Sequence, residues 1–99
     1  MAIVYLIKNG EDYFKIGYTS RNVERRLEEL QVASPTKLEV IHQYKTDDPT
    51  LLESTLHRQY RHARMEGEWF KLAAEEIGTF IQMCSKIEHN IAFLKANQI

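Results

Sequence analysis

The order of hydrophobic and polar residues predicts a β-hairpin at the start of the chain. Residues 3–8 and residues 13–18 are mostly apolar or aromatic. The Asn9-Gly10 pair between them is a strong signal for a tight hairpin turn. The length of the loop decides which side chains share a face of the hairpin, because successive strand residues point to opposite faces.

Two registers of this hairpin bring different side chains together. A two-residue loop pairs Tyr5 with Phe14 and puts Tyr5 on the face opposite Tyr13 and Lys15. A three-residue loop pairs Tyr5 with Tyr13, and Tyr5, Tyr13 and Lys15 then share one polar face. We favour the three-residue loop, because it leaves a uniformly apolar second face for the core. Tyr18 then lies on that second face.

The rest of the chain alternates helical and extended patterns. The spacing predicts a helix at residues 20–30, a strand at 37–45, a helix from Asp48-Pro49 to Gly67, a short extended run at 68–72 and a final helix at 73–97. This order predicts an α+β domain with a small antiparallel three-stranded sheet, flanking helices and a C-terminal helix. Residues 1–72 form the expected core, and residues 73–99 form the C-terminal segment of a single domain.

The final helix carries an apolar stripe with alternating spacings of three and four. Its residues are Ile77, Phe80, Cys84, Ile87, Ile91 and Leu94. Such spacing resembles the seam of a coiled coil, but it covers fewer than about three heptads. We favour packing of the stripe on its own domain over a homodimer formed through this helix.

Composition indicates an ordinary globular chain of one domain. The chain has 99 residues, of which 43% are hydrophobic and 27% charged, with a single cysteine, Cys84. One cysteine excludes an internal disulfide. No apolar run reaches the roughly 18 residues that span a bilayer, and no signal peptide is evident. We therefore expect no membrane association and a cytoplasmic setting.

The charges are distributed unevenly although the net charge is only −1. Basic residues cluster after the hairpin and in the stretch "HRQYRHAR", namely Arg21, Arg25, Arg26, Arg58, Arg61 and Arg64. Such local patches are compatible with contacts to the phosphates of a nucleic acid. A solvated helix face has the same composition, so charge alone does not decide between the two.

Helical geometry separates two adjacent arginines. Val23, Leu27 and Leu30 mark the buried stripe of the first helix, at about 100° per residue. Arg26 falls about 60° from the centre of that stripe, and Arg25 points almost directly away from it. Arg26 can therefore be aimed into a cleft by its neighbours, or its stem can simply cover apolar surface.

On the second helix, Glu53 and His57 stand four residues apart on one flank. A carboxylate at such a position is a candidate ligand for a hard divalent cation. The structural alternative is that Glu53 complements the positive end of the helix or closes a capping box with Thr50. His57 is a polar surface residue unless a site forms beside it.

Five short motifs in order resemble the GIY-YIG nuclease superfamily. They resemble in particular its phage and viral branch, in which the second motif reads KIG and a GEWF-like stretch ends the core. The motifs are "IVY" (3–5) for GIY, "KIG" (15–17) for YIG, "RRL" (25–27), "LLESTLH" (51–57) and "GEWFKL" (67–72). The resemblance covers residues 3–72.

The resemblance implies a metal-dependent endonuclease that hydrolyses DNA phosphodiester bonds with water as the nucleophile. Tyr5 would orient or activate the water, Arg26 would stabilise charge on the phosphate, and Glu53 would hold one Mg²⁺ or Mn²⁺ ion. The second tyrosine of the family pattern is Lys15 here. A lysine can bind phosphate, or assist proton transfer if its pKa is depressed.

Two further side chains join the expected catalytic set. Tyr13 can substitute for the missing phenol, and His57 is a second candidate beside Glu53. The alternative function is a nucleic-acid-binding module that keeps the fold without turnover. A chain of 99 residues leaves no room for a separate recognition domain, so we expect sequence specificity to come from a partner or from oligomerisation, or to be weak.

Overall fold

The chain forms one antiparallel sheet with helices on both of its faces. The computed structural model describes residues 1–10 and 12–97, and the last two residues of the predicted C-terminal segment lie outside this part. The elements in chain order are β1 (Ala2–Lys8), β2 (Phe14–Thr19), α1 (Val23–Val32), β3 (Glu39–Thr46), α2 (Pro49–Gln59), a 3-10 turn (Arg61–Ala63), β4 (Arg64–Glu66), β5 (Trp69–Phe70), α3 (Ala74–Gly78) and α4 (Phe80–Ala96).

The sheet has five strands in the described part of the chain, in the order β3-β1-β2-β5-β4, and every pair is antiparallel. The predicted α+β class and C-terminal helix are confirmed, whereas the prediction of three strands is wrong. The additional strands form a short hairpin that reverses at Gly67, whose φ of 57° is a left-handed conformation that glycine adopts readily. Strands of three and two residues are too short to leave a periodic pattern.

Two hydrophobic clusters lie on opposite faces of the sheet. Val4 and Ile16 belong to the larger cluster, which packs against the apolar stripes of α2 and α4. Tyr5 and Ile7 belong to the smaller one, which Val23 of α1 covers. The predicted polar face is therefore wrong: the tyrosine side of the hairpin is a second core beneath α1.

The first hairpin has a register that neither loop prediction gives. Tyr5 pairs with Gly17 and Ile7 pairs with Lys15, so the loop runs over residues 9–13. A hydrogen bond from the Asn9 N–H to the Tyr13 carbonyl, at 3.0 Å, closes this loop. Because the shift from the favoured register is an even number of residues, Tyr5 and Lys15 still point to the same face.

The helix boundaries follow local capping and breaking signals. The Asn22 side chain accepts a hydrogen bond from the Arg25 N–H at 2.8 Å and caps α1. Helix α2 ends at Gln59, earlier than predicted, because the 3-10 turn and β4 follow. The predicted final helix divides at Thr79 into α3 and α4. No helix in the described ranges is long and apolar enough to cross a membrane.

Most of the apolar stripe of α4 is buried within its own domain. Phe80, Cys84, Ile87 and Ile91 all belong to the larger cluster. Leu94, the last residue of the stripe, is 67% exposed. The end of α4 therefore extends past the core that its earlier turns complete.

Candidate active site

Tyr5 lies close to the backbone of the neighbouring strand at Gly17. A Cβ atom placed on Gly17 would stand 2.6 Å from the Tyr5 hydroxyl oxygen and 2.8 Å from Cζ. The φ of Gly17 is not positive, so this glycine is required by close approach and not by backbone conformation. The ring is only 1% exposed. Because Gly17, the glycine of the KIG motif, has no side chain, the phenol of Tyr5 can occupy this space.

Arg26 connects helix α1 to this phenol. Its Nε donates to the Tyr5 hydroxyl at 3.4 Å, and its Nη1 lies 3.4 Å from the Glu29 carboxylate. Glu29 also accepts two hydrogen bonds from Arg21, at 2.9 and 3.1 Å. Arg26 is therefore held from two sides, and its half-buried guanidinium keeps donors for a further anion.

The environment of Tyr5 keeps its phenol protonated. Burial raises the pKa of Tyr5 above its ordinary value, the Arg26 hydrogen bond and charge oppose the rise, and the charges of Glu68 and Glu53 add to it. Because Tyr5 accepts from Arg26, its own hydroxyl proton is not used in that contact.

The edge of β2 that faces β5 brings the other polar groups together. The Ile16 N–H donates to the Glu68 carbonyl at 3.1 Å, and the Ile16 carbonyl accepts from His57 Nε2 at 2.9 Å. On β2, the described residues that pair with β5 are Phe14 and Lys15. His57 therefore completes the hydrogen bonding of β2 beyond the end of β5, and helix α2 is fixed against this edge.

His57 acts as a donor in this arrangement. Since a carbonyl oxygen can only accept, the Ile16 contact assigns the proton to Nε2. The same nitrogen is 4.0 Å from Glu53 Oε1, and the ring meets Phe70 edge-on at 4.9 Å between centroids. His57 thus positions α2 and its neighbour Glu53, and its Nε2 is not free to accept a proton.

Lys15 is held in place by the β4–β5 hairpin. Its Nζ lies 3.1 Å from Glu68 Oε1 and 5.6 Å from the centre of the Trp69 ring. The Lys15 side chain is 14% exposed and the Glu68 side chain is 41% exposed. The ammonium of Lys15 and the carboxylate of Glu68 are both close enough to Glu53 to act on its charge.

Two carboxylates share the electrostatic environment of this edge. Burial raises the pKa of Glu53, and the charge of Glu68 raises it further, while His57 and Lys15 oppose the rise. Carboxylate oxygens are the ligands that Mg²⁺ and Mn²⁺ prefer, and a cation beside Glu53 would offset the repulsion from Glu68. Within residues 1–10 and 12–97, no three acidic, histidine or cysteine side chains form a ligand cluster. An ion held here would therefore complete its coordination with water or substrate oxygens.

A profile of the T5orf172 domain matches residues 2–85, which is most of the chain. The chain belongs to the T5orf172 domain family. The T5orf172 domain is phage-associated and related to nuclease-like folds, so membership indicates a nuclease or nucleic-acid-binding role. No curated protein and no solved structure gives a significant match to the chain.

Several other predicted site residues of this T5orf172 domain lie away from Tyr5. Tyr13 is in the hairpin loop and borders a hollow with Met65 and Trp69. Arg58 and Arg61 line hollows along a flank of α2 other than the one that carries Glu53.

The remaining arginines differ in how firmly they are held. Arg64 Nε donates to the Gly67 carbonyl at 2.9 Å, so it stabilises the β4–β5 hairpin. Arg25 is exposed on α1. Arg21 is paired with Glu29, which makes it the one predicted phosphate contact that is linked to Arg26 in the described part of the chain.

Two acidic residues of the T5orf172 domain were missed by the sequence reasoning. Glu68 pairs with Lys15, and Glu29 braces Arg26. Glu29 stands three residues after Arg26 on one helix, a spacing that could have indicated the contact. Glu68 lies within the GEWF stretch, but its partner depends on the pairing of β5 with β2, which the sequence pattern does not predict.

Proposed function

We propose that this chain is a metal-dependent endonuclease of the GIY-YIG type, which hydrolyses DNA phosphodiester bonds with water as the nucleophile. The observation that carries the proposal is the contact between Tyr5 and Arg26 over Gly17. It joins a hydroxyl that can donate to a guanidinium that can bind phosphate. The order of the IVY, KIG, RRL, LLESTLH and GEWF motifs supports the same assignment.

Tyr5 has the role of orienting the attacking water. Its burial holds the ring, and its proton is free because Arg26 fills one of the lone pairs of the hydroxyl oxygen. A fixed hydroxyl within hydrogen-bond reach of water lowers the barrier by positioning, without the entropy loss of ordering the group during the reaction. Removal of the hydroxyl alone should therefore remove activity while the core stays intact.

Arg26 has the role of stabilising charge on the phosphate. Its Nε is engaged by Tyr5 and one Nη by Glu29, so the guanidinium plane is fixed while other N–H groups can contact an oxyanion. Such prearranged donors stabilise negative charge that grows in the transition state. Lys15 adds a second positive charge, which Glu68 holds near the same edge.

Glu53 has the role of holding the divalent metal, with Glu68 as a neighbouring carboxylate. Both are acidic oxygen donors of the kind that hard cations bind, and the raised pKa of Glu53 marks a position where a positive charge is favourable. When bound, such an ion polarises a phosphoryl oxygen and stabilises the leaving oxygen. Tyr5 and Arg26 then align the water and the phosphate of the substrate next to the ion.

The residues of the proposed site are not expected to select a particular DNA sequence. The proposed backbone contacts, among them Arg21 and Arg64, would bind phosphates and not bases, so they would give little sequence preference. Specificity is expected to come from a separate protein or a second copy of the chain, or to be weak.

Nicking of supercoiled plasmid tests this function. The purified chain is incubated with plasmid and Mg²⁺ or Mn²⁺, and open-circular DNA is measured over time. Wild type should nick only with metal present, and Tyr5→Phe and Glu53→Gln should lose nicking by at least about a hundredfold. Tyr18→Phe and Glu24→Gln are matched controls, because both side chains are exposed and outside the site.

Three outcomes of this assay separate the hypotheses. Metal-dependent nicking that is lost in both site variants and kept in both controls supports the enzyme. Equal nicking by every variant identifies a contaminating nuclease and contradicts the assignment. DNA binding without nicking under either metal supports the alternative, a binding module of the same family.

A further inference from the structure

A hydrophobic groove runs between helix α2 and helix α4. Its volume is about 750 Å³, and its lining along α4 extends from Met83 to Asn97. At about 1.5 Å per residue this is a length of roughly 20 Å, or about four helical turns. Ile87 and Ile91 form its floor, and both belong to the larger core cluster.

The rim of the groove keeps apolar side chains at the surface. Leu51 of α2 is 44% exposed and Leu94 of α4 is 67% exposed, and both line the groove. Large apolar residues that converge on one concave surface indicate a binding site more strongly than scattered ones do. Phe93 is also exposed, but it is not part of the lining.

The charged side chains of the groove are all basic. Arg58, Lys86 and Lys95 contribute to the lining, and no acidic side chain does so in the described part of the chain. Lys95 pairs with Asp48, whereas Arg58 and Lys86 make no ion pair within that part. Because the net charge of the whole chain is −1, this basic rim is a local feature. It is complementary to an acidic ligand.

The walls of the groove determine whether its occupant binds as a helix or as an extended strand. Both walls are helices, whose backbone groups are already hydrogen-bonded, so no strand edge is offered to an extended peptide. A segment that satisfies its own backbone, an α-helix, fits such a groove through one apolar face.

Nucleic acid fits the groove less well than a helix does. Among the described residues, none that lines the groove has an aromatic ring on which a base could stack, and the floor is aliphatic. The groove also lies on another flank of α2 from Glu53 and His57, because Arg58 is turned by about 100° from His57.

We propose that this groove binds an acidic amphipathic helix of a partner protein. Leucine-sized side chains of the helix fill the space between Leu51 and Leu94, and acidic residues flanking them pair with Arg58 and Lys86. The site is separate from the proposed catalytic edge, so the partner and the DNA can be bound at the same time.

A designed helical peptide tests the proposal. The probe is a fluorescein-labelled peptide of about four turns, with leucine at positions i, i+3, i+4 and i+7 and glutamate beside them. Fluorescence anisotropy should give saturable binding to the full chain. Replacement of the glutamates by glutamine should weaken binding by about tenfold, and replacement by lysine should abolish it.

Variants of the chain locate the binding. Leu94→Ser and Lys86→Glu should each weaken binding by about tenfold or more, since both alter the groove. Phe93→Ser and Lys45→Glu should leave binding unchanged, because these exposed side chains are outside it. Leu94→Ser should also keep the melting temperature and plasmid nicking of wild type, which separates this test from the proposed function.

Four results would overturn the proposal. One is the absence of saturable binding up to a peptide concentration of about 1 mM. Another is equal weakening by Phe93→Ser and Leu94→Ser. A third is binding of a single-stranded oligonucleotide that Leu94→Ser weakens as much as it weakens binding of the peptide. This result would assign the groove to nucleic acid. The last is a concentration-dependent mass that disappears in Leu94→Ser, which would assign it to a second copy of the chain.

Discussion

The Tyr5 hydroxyl occupies the space that a side chain at position 17 would fill. A Cβ atom on Gly17 would come within 2.6 Å of the hydroxyl oxygen and 2.8 Å of Cζ. The same hydroxyl accepts from Arg26 at 3.4 Å. One glycine on β2 therefore sets the position of a phenol on β1 and, through it, the contact with α1.

Gly17→Ala should displace the phenol and disturb the site more than the fold. We expect the nicking rate to fall by about a hundredfold, since a misplacement of about 1 Å can have that effect. Overpacking should lower the free energy of unfolding by about 1–3 kcal/mol. Plasmid nicking and urea unfolding measure the two quantities. Gly78→Ala is the control, because a Cβ on Gly78 would meet no atom of the described residues within 4 Å. Wild-type nicking is expected from it.

Part of this site could be predicted from alternation and helical phase alone. Successive strand residues point to opposite faces, so Tyr5 and Lys15 share a face when Tyr5 pairs with an odd-numbered residue of the second strand. In the structure Tyr5 pairs with Gly17, which meets this condition. The period of 3.6 places Arg26 at the edge of the buried stripe of α1, where it reaches Tyr5. The phase of Arg26 does not depend on loop length, because it is fixed within one helix. The shared face of Tyr5 and Lys15 survives an error in loop length only when the register shifts by an even number of residues.

Long-range pairing and short strands could not be predicted in this way. The loop over residues 9–13 is closed by a contact between Asn9 and Tyr13, and a turn signal at Asn9-Gly10 does not reveal that length. Glu68 reaches Lys15 only because β5 adds to the edge of β2. A strand of two residues carries no period, so the second carboxylate of the site emerged only from the tertiary structure.

Tyr60→Phe should stabilise the protein, in contrast to Tyr5→Phe. The Tyr60 hydroxyl is buried without a hydrogen-bond partner in the described part of the chain, and burial raises the pKa of Tyr60 to about 12. Removal of an unsatisfied buried hydroxyl should raise the free energy of unfolding by about 1 kcal/mol. Thermal unfolding checks this, and nicking should stay at the wild-type rate. A lower melting temperature would show that the hydroxyl has a partner in solution.

Glu53→Gln should stabilise the fold while it removes activity. Burial, followed by the charge of Glu68, raises the pKa of Glu53 in the folded chain. A raised pKa means that the ionised carboxylate is less favourable in the folded state than in the unfolded state at neutral pH. The neutral amide should therefore raise the free energy of unfolding in a buffer with a chelator. Exposed Glu24→Gln should leave it unchanged, and a loss of stability in Glu53→Gln would contradict the argument.

Glu68→Gln should increase the metal concentration that nicking requires. Glu68 holds Lys15 at 3.1 Å and adds negative charge beside Glu53. Loss of a supporting carboxylate weakens metal sites by about tenfold or more. The Mg²⁺ concentration for half-maximal nicking should rise by about that factor, with activity partly restored at high Mg²⁺. Exposed Glu66→Gln in the same hairpin is the control. An unchanged Mg²⁺ dependence in Glu68→Gln would exclude this role.

Alkaline pH should destabilise the fold through Cys84. The thiol is fully buried, and burial, followed by the charge of Glu88, raises its pKa from 9.0 to about 12. Between these two values the unfolded chain loses the thiol proton while the folded chain keeps it. The unfolded state then binds fewer protons, so the free energy of unfolding falls as pH rises above 9.0. Urea unfolding at several alkaline pH values measures this slope. Cys84→Ala should be less stable at neutral pH because it leaves a cavity, yet its slope with pH should be shallower. An equal slope in both proteins would mean that the thiol does not contribute.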